Sequence, residues 1–425
     1  MIPPKKKVRV LIVEDSVVQR KILRMALENN PGIEVVGHAS NGKLALNRVA
    51  IGDVDVLTLD LEMPVMGGIE VLKNLQGRVP KVGAIVVSAL SQQGARQTME
   101  AMSLGAFDLI TKPSSQASLE QVIEGLKRDL VPLVMACGEF IQTARTGGHR
   151  PAAPAAPLPR PGMRPGMAPG ARPGARPGAR PGARPGARPC AAPASGAEPD
   201  TGMPKRRILG EAPGAPLPSA VAATPRKAMR GPARLIVIGS STGGPQALDT
   251  VLSGLPADLP LPVLIVQHMP PMFTKTLAES LDRKCALDVR EATHGQVVKV
   301  GEVLIAPGGM HMKVVRQGTG FCVRMTDDPP ERSCRPSVDY LFRSASQASG
   351  GNTIAAVLTG MGDDGTAGSR LLQPMGAHII AQDQASCVVF GMPKLLVHEG
   401  IADVVLPLDR IAAEIAGACR RGAPV

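Results

Sequence analysis

Tryptophan is absent from the 425 residues, tyrosine occurs once (Tyr340) and phenylalanine six times. A surface that stacks nucleobases needs aromatic platforms, so this scarcity argues against a nucleic-acid partner. Cysteine is also sparse: seven residues, an odd number, scattered and without a CxxC pair. That excludes a disulfide framework or a zinc site and fits a reducing cytoplasm. No apolar run approaches the ~20 residues of a membrane-spanning helix. The first apolar run follows Pro4-Lys5-Lys6-Lys7 and ends at Glu14-Asp15, too short for a secretory leader. The expectation is a cytoplasmic chain, not integral to a membrane, with a monomer as the default state.

Acidic residues are nearly missing from one stretch. The net charge is +12, yet residues 150–230 alone hold 14 Lys and Arg against three acids. Residues 1–149 carry 17 against 15, and residues 231–425 carry 17 against 18. The basicity therefore belongs to a middle segment and to neither flank. That segment also holds 19 of the 41 prolines, and Ala171-Arg172-Pro173-Gly174 repeats four times before closing as Ala187-Arg188-Pro189-Cys190. Such a composition cannot bury enough apolar surface to offset its ordering entropy, so a disordered Pro/Gly/Arg-rich linker is expected. In a polyproline II helix a four-residue repeat turns each Arg by a third of a turn, so no single basic face forms.

The first flank alternates strand-like and helix-like runs. Val8–Val13, Ile33–Ala39, Asp55–Asp60, Ala84–Leu90 and Phe107–Thr111 read as strands, with amphipathic stretches such as Val17–Glu28 between them. Five such units predict a parallel sheet covered on both faces, with its site at the carboxyl ends of the strands. Glu14, Asp15, Asp60, Ser88 and Lys112 fall there. Carboxylates with water and phosphate suit Mg²⁺, Asp60 suits a phosphoryl acceptor, and Lys112 and Ser88 suit a phosphoryl group's oxygens.

Glu14-Asp15-Ser16, Asp60-Leu61-Glu62-Met63-Pro64 with Gly67-Gly68, Ser88-Ala89 and Lys112-Pro113 resemble a response-regulator receiver domain with a flavodoxin-like, doubly wound sheet. The resemblance implies phosphorylation of Asp60 by a chemotaxis histidine kinase. It implies Mg²⁺ on Glu14, Asp15, Asp60 and the Glu62 backbone carbonyl, and it makes Phe107 the aromatic switch residue. Glu14 departs mildly from the more usual Asp.

The second flank opens with a buried strand, Leu235-Ile236-Val237-Ile238, then Gly239-Ser240-Ser241-Thr242-Gly243-Gly244 and a helix from Pro245. A glycine turn between strand and helix can cradle a phosphate or form a G-x-S-x-G nucleophile elbow with Ser241 at its tip. There is no Walker lysine, which weakens the first reading. The next strand, Pro262–Val266, runs into Gln267-His268-Met269-Pro270, placing a base beside the serine. A third, Thr353–Leu358, runs into Gly360-Met361-Gly362-Asp363-Asp364-Gly365, which offers a carboxylate to orient the imidazole. Ser240 and Ser337 rival Ser241, and Asp363 rivals Asp364. His294, His311, His378 and His398 are expected to be structural.

These strings, with Ala306-Pro307-Gly308-Gly309 and Arg335-Pro336-Ser337-Val338-Asp339, resemble the catalytic domain of the chemotaxis protein-glutamate methylesterase (CheB) family. The resemblance implies a doubly wound α/β domain with Ser241 as nucleophile, His268 as base, Asp364 as its orienter and the Met361 backbone N–H as an oxyanion donor. It implies hydrolysis of glutamate methyl esters on methyl-accepting chemoreceptors with release of methanol, and deamidation of receptor glutamines. No cofactor is needed for the ester chemistry. The unphosphorylated receiver is expected to cover the active-site face. The expected boundaries are 7–130 for the receiver, 131–230 for the linker and 231–421 for the catalytic domain. The alternative is a response regulator fused to a non-catalytic α/β binding domain.

Overall fold

The computed structural model of the chain describes residues 6–77, 81–112, 118–145 and 231–421. Pro113 and linker residues 146–230 lie outside them. In the first half, β1 (Val8–Val13), α1 (Val17–Leu27), β2 (Ile33–Ala39), α2 (Gly42–Val49), β3 (Val56–Asp60), α3 (Gly68–Leu75), β4 (Gly83–Ser88), α4 (Gln92–Ser103), β5 (Asp108–Thr111) and α5 (Leu119–Arg145) follow in order. The strands form one sheet in the order β2-β1-β3-β4-β5, every pair parallel. β3 and β4 are buried at every position and β1 at every position but Arg9, as a helix-covered parallel sheet requires.

Past residue 130, where the sequence reading starts the linker, α5 runs on to Arg145. Leu126, Leu130, Val134, Cys137 and Ile141 form one apolar stripe at three- and four-residue spacing and are all buried. Each large side chain buried there contributes roughly 1.5–3 kcal/mol, so the helix cannot be peeled off as linker. Pro132 sits inside it. Arg145 at its end donates to Asp55 Oδ1 at 2.6 Å and to the Val54 carbonyl at 2.8 Å. Burial alone would raise Asp55, but Arg9 and Arg145 hold it below its ordinary value.

The second half continues with β6 (Leu235–Ser240), α6 (Gly244–Ser253), β7 (Val263–Gln267), α7 (Phe273–Asp282), β8 (Asp288–Glu291), β9 (Glu302–Ile305), β10 (His311–Gln317), β11 (Gly320–Thr326) and α8 (Val338–Ser349). It ends with β12 (Thr353–Val357), α9 (Thr366–Met375), β13 (His378–Gln382), α10 (Met392–His398), β14 (Val404–Leu406) and α11 (Leu408–Arg421). Seven strands make a parallel sheet, β14-β13-β12-β6-β7-β9-β8, and β10 and β11 pair as a separate antiparallel hairpin that the sequence reading did not anticipate. The strand carrying Ser241 at its end, β6, lies between β7 and β12, which carry the other two expected groups. That is the switch point of the sheet, where a crevice opens.

Both α/β domains belong to one compact unit. Among the described residues, no helix is long and apolar enough to cross a membrane, and the six described cysteines are all free.

Candidate functional sites

Asp60 ends β3 and is buried with 4% exposure. Lys112, just beyond β5, donates to Asp60 Oδ2 at 2.7 Å and stands 3.0 Å from Glu14 Oε2. Carboxylate oxygens of Glu14, Asp15 and Asp60 all lie within 4.8 Å of one another. Burial, followed by the charge of Asp60, pushes Glu14 above its ordinary value despite Lys112. The result is an acidic pocket whose negative charge one lysine only partly balances. Glu62 enters through its amide, which donates to Asp60 Oδ1 at 3.2 Å. The Ser88 hydroxyl is turned to the Gly94 carbonyl at 3.3 Å, and Phe107 is packed inward, 5.9 Å from the Phe140 ring. Among the described residues neither side chain has a hydrogen bond to Glu14, Asp15, Asp60 or Lys112.

In the second half, β6 delivers the chain to Ser241 through a tight turn. Gly243 has φ of 75°, a left-handed value that favours glycine, and a Cβ there would come within 2.6 Å of Val388. Gly360, on the facing loop, lies so close that a Cβ would come within 2.8 Å of the Ser241 Cβ. Strand, turn and α6 (with Pro245 in its first turn) supply the context a nucleophile elbow needs. Among the described residues, the amides of Thr242 and Met361 have no hydrogen-bond acceptor.

His268 follows β7, and its Nε2 donates to Asp364 Oδ2 at 2.8 Å. Asp364 Oδ1 accepts from Ser337 Oγ at 3.0 Å, Asp339 N at 2.8 Å and Gly365 N at 3.0 Å, while Oδ2 also accepts from Val338 N at 2.7 Å. Against burial, the His268 imidazole first and then the Asp339 and Val338 amides hold Asp364 below its ordinary value, while Ser337 Oγ and Gly365 N complete the shell that pins it. Asp363, the sequence-level rival, points outward to Arg332. Burial would lower His268, but Asp364 and then Cys334 outweigh it and push the imidazole up to about 10. Among the described residues no hydrogen bond joins Ser241 Oγ to His268, so the acid–base arm is formed and the nucleophile arm is not.

The rival serines have other work. Ser240 is buried and donates to Gln267 Oε1 at 2.7 Å, and Ser337 caps α8 as well as holding Asp364. Gln267 was missed by sequence reasoning: its amide donates to the Ser241 carbonyl at 2.9 Å and the His268 carbonyl at 3.2 Å, stitching the two strand ends together. Asp339, read from the sequence only as the end of the Arg335–Asp339 string, accepts from Gly365 N at 3.0 Å and Gly368 N at 2.7 Å, bracing the loop that carries Asp364. His311, His378 and His294 bond Pro329 O, Glu414 and Met325 O.

The receiver lies against this site. Gln246 on α6 donates to the carbonyls of Met102 and Ala106, at 2.9 and 3.0 Å, at the end of α4. Met99 and Met102 face Leu277 and Leu281 of α7 across a small cleft. Asp108, opening β5, lies beside the side chain of Thr242, next to Ser241. Burial pushes Asp108 up to about 6, against Thr242 and the Leu109 amide.

A receiver-type half with an acidic pocket and a second α/β half with Ser, His and Asp at three adjacent strand ends define a response regulator carrying a hydrolase-like domain. Comparison with known proteins is specific on both halves. A family profile described as CheB methylesterase matches residues 236–415, and one described as response regulator receiver domain matches residues 10–124. The chain is 39% identical over 412 residues to the protein-glutamate methylesterase/protein-glutamine glutaminase of Desulfotalea psychrophila, covering 96% of this chain and 98% of that one. It is 41% identical to the protein of the same description from Alkalilimnicola ehrlichii, covering 96% and 99%. The crystal structure of the Thermotoga maritima CheB methylesterase catalytic domain is 43% identical over 44% of this chain and 98% of that one, with a TM-score of 0.43. The chain belongs to the protein-glutamate methylesterase/protein-glutamine glutaminase family.

Proposed function

We propose that the chain is a phosphorylation-controlled serine hydrolase that cleaves γ-glutamyl methyl esters on chemoreceptors, releasing methanol, and deamidates receptor glutamines by the same acyl chemistry. The Asp364–His268 bond of 2.8 Å, formed at the switch point beside the Ser241 elbow, carries this reading. Asp364 fills Nε2, so Nδ1 is the nitrogen that takes the Ser241 proton as Oγ attacks the ester carbonyl. The tetrahedral oxyanion is received by unpaired backbone N–H groups, with Met361 as the assigned donor and Thr242 beside it. His268 returns the proton to the leaving methoxide or ammonia, and water then cleaves the acyl-enzyme by the same route.

Control runs through Asp60. A histidine kinase is the phosphodonor, and Glu14, Asp15, Asp60 and the Glu62 carbonyl would hold Mg²⁺. The three converging carboxylates, with Glu14 raised by burial and then by the charge of Asp60, are what a divalent cation would fit. Bound there, the cation offsets charge on the phosphoryl oxygens, and Lys112 supplies the protein's own positive charge. With the receiver against α6 and α7, macromolecular substrate is kept from Ser241 until phosphorylation weakens those contacts.

Substituting Ser241→Ala is the deciding test against a non-catalytic binding domain. Methanol release from methylated receptor should vanish while the unfolding transition stays in place. Retained release overturns Ser241 as the nucleophile.

A further inference from the structure

One side of the His268 ring is left over by the acid. Nδ1 faces the Sγ of Cys334 at 3.6 Å, within hydrogen-bond reach for sulfur. The thiol is presented by a built turn. Glu331 N donates to Cys334 O at 3.1 Å and Cys334 N to Glu331 O at 2.8 Å. The two residues between, Arg332 and Ser333, have φ of 50° and 63°, left-handed values that L-residues avoid. Ion pairs hold the turn on both sides: Arg332 to Asp339 at 3.3 Å and to Asp363, and Arg343 to Glu331. Of the described cysteines, Cys334 alone bonds a histidine. Cys137, Cys322, Cys387 and Cys419 are buried, and burial pushes Cys285 and Cys419 up to about 11.

We propose that Cys334 is a positioning residue that parks the general base: its sulfur accepts from Nδ1–H of the protonated His268 ring, so Ser241 gains that nitrogen only by displacing the sulfur. This rests on the esterase reading and adds a control to it. No covalent bond is made or broken in the parked state; the ring proton stays on Nδ1 and is shared with Sγ. The ring is then clamped between two acceptors, Asp364 Oδ2 and Cys334 Sγ. The charged and titratable groups facing it are Asp364 from the β12–α9 loop, Cys334 from the turn and Asp108 from β5 of the receiver. Asp339, Asp363 and Arg332 stand behind Asp364. An imidazole held charged cannot accept the serine proton, which agrees with the unformed Ser241–His268 bond. The upward push on His268 has Cys334 as its second source after Asp364.

The test is Cys334→Ala and Cys334→Ser in the full chain. Methanol release is followed against pH, and nitrogen NMR of the histidine imidazoles is followed in parallel, with His268→Gln assigning the signal. Removing the sulfur should move the His268 titration and the acid limb of kcat to lower pH by about one unit or more, and raise the neutral-pH rate about tenfold. Serine, which keeps a polar acceptor at the position on a shorter side-chain bond, should fall between. A working esterase whose His268 titration and acid limb are the same with and without the sulfur overturns the proposal. So does a Cys334→Ala enzyme that is slower at every pH with an unmoved limb. If the titration moves as expected but no variant, nor the parent chain, releases methanol, the parked pair stands and the esterase reading falls.

Discussion

Replacing Asp364 with Asn changes one oxygen to a nitrogen and little in volume, yet the site has no place for the new group. Oδ1 now accepts from Ser337 Oγ, Asp339 N and Gly365 N, and Oδ2 accepts from Val338 N and His268 Nε2. Asn has one acceptor oxygen. With that oxygen at the Oδ1 position, its NH₂ confronts the Val338 N–H and forces Nε2 to become an acceptor. The ring proton then sits on Nδ1, where it removes the lone pair Ser241 needs. Flipped, the NH₂ meets three donors instead. At least one buried amide is left unpaired, costing about 1–3 kcal/mol of stability. The wrong tautomer should lower kcat by about 10³–10⁴-fold, or ~4–5.5 kcal/mol of barrier.

The stability loss has a sign in pH. His268 is raised in the folded chain, so its contribution is full below the ordinary imidazole value of about 6.5 and fades as pH climbs through about 10. Asp364 is lowered, so its contribution is present above the ordinary carboxylate value and fades in acid. The Asn variant should therefore be most destabilised in mild acid and least in strong alkali. Urea unfolding across pH and single-turnover methanol release measure the two effects. A kcat within tenfold of the parent, or a destabilisation independent of pH, refutes the argument.

Two further outcomes concern control. Asp60→Asn should gain no phosphoryl group from a small acyl phosphate, read by intact mass, and its esterase rate should no longer respond to the donor; a phosphorylated product would place the acceptor elsewhere. Gln246→Ala removes two bonds to the end of α4, worth about 0.5–1.5 kcal/mol each, and should raise the unphosphorylated esterase rate several-fold; an unchanged basal rate would mean this contact does not hold the receiver in place.

Much of the fold was legible because parallel sheets write themselves plainly. Strands such as Ile85–Val87 and Leu235–Ile238 are apolar on both faces, and chemistry collects where they end. Asp60, Ser241 and His268 could be picked for that reason, each a polar residue closing an apolar run. The length of α5 was not picked, because its stripe of Leu126 to Ile141 runs without a break past Pro132 into a region of rising polarity. The β10–β11 hairpin was missed because its short strands carry mixed patterns. Gln267 and Cys334 gave no signal: a Gln before a His, and a Cys in a polar turn, look ordinary until their partners are in place.

By itself, then, the sequence determined the two α/β halves, the basic segment between them and the strand ends that hold reactive groups. Those follow from local alternation and burial, which each segment carries on its own. Only the tertiary structure decided that Asp364 rather than Asp363 meets His268, that Ser88 turns toward Gly94, that Asp108 lies beside Thr242 and that a cysteine fills the base's second nitrogen. All but the Ser88–Gly94 bond are contacts between residues far apart in the chain. The strength of each depends on tenths of an ångström and on which competing donors are already taken, and no local pattern encodes either.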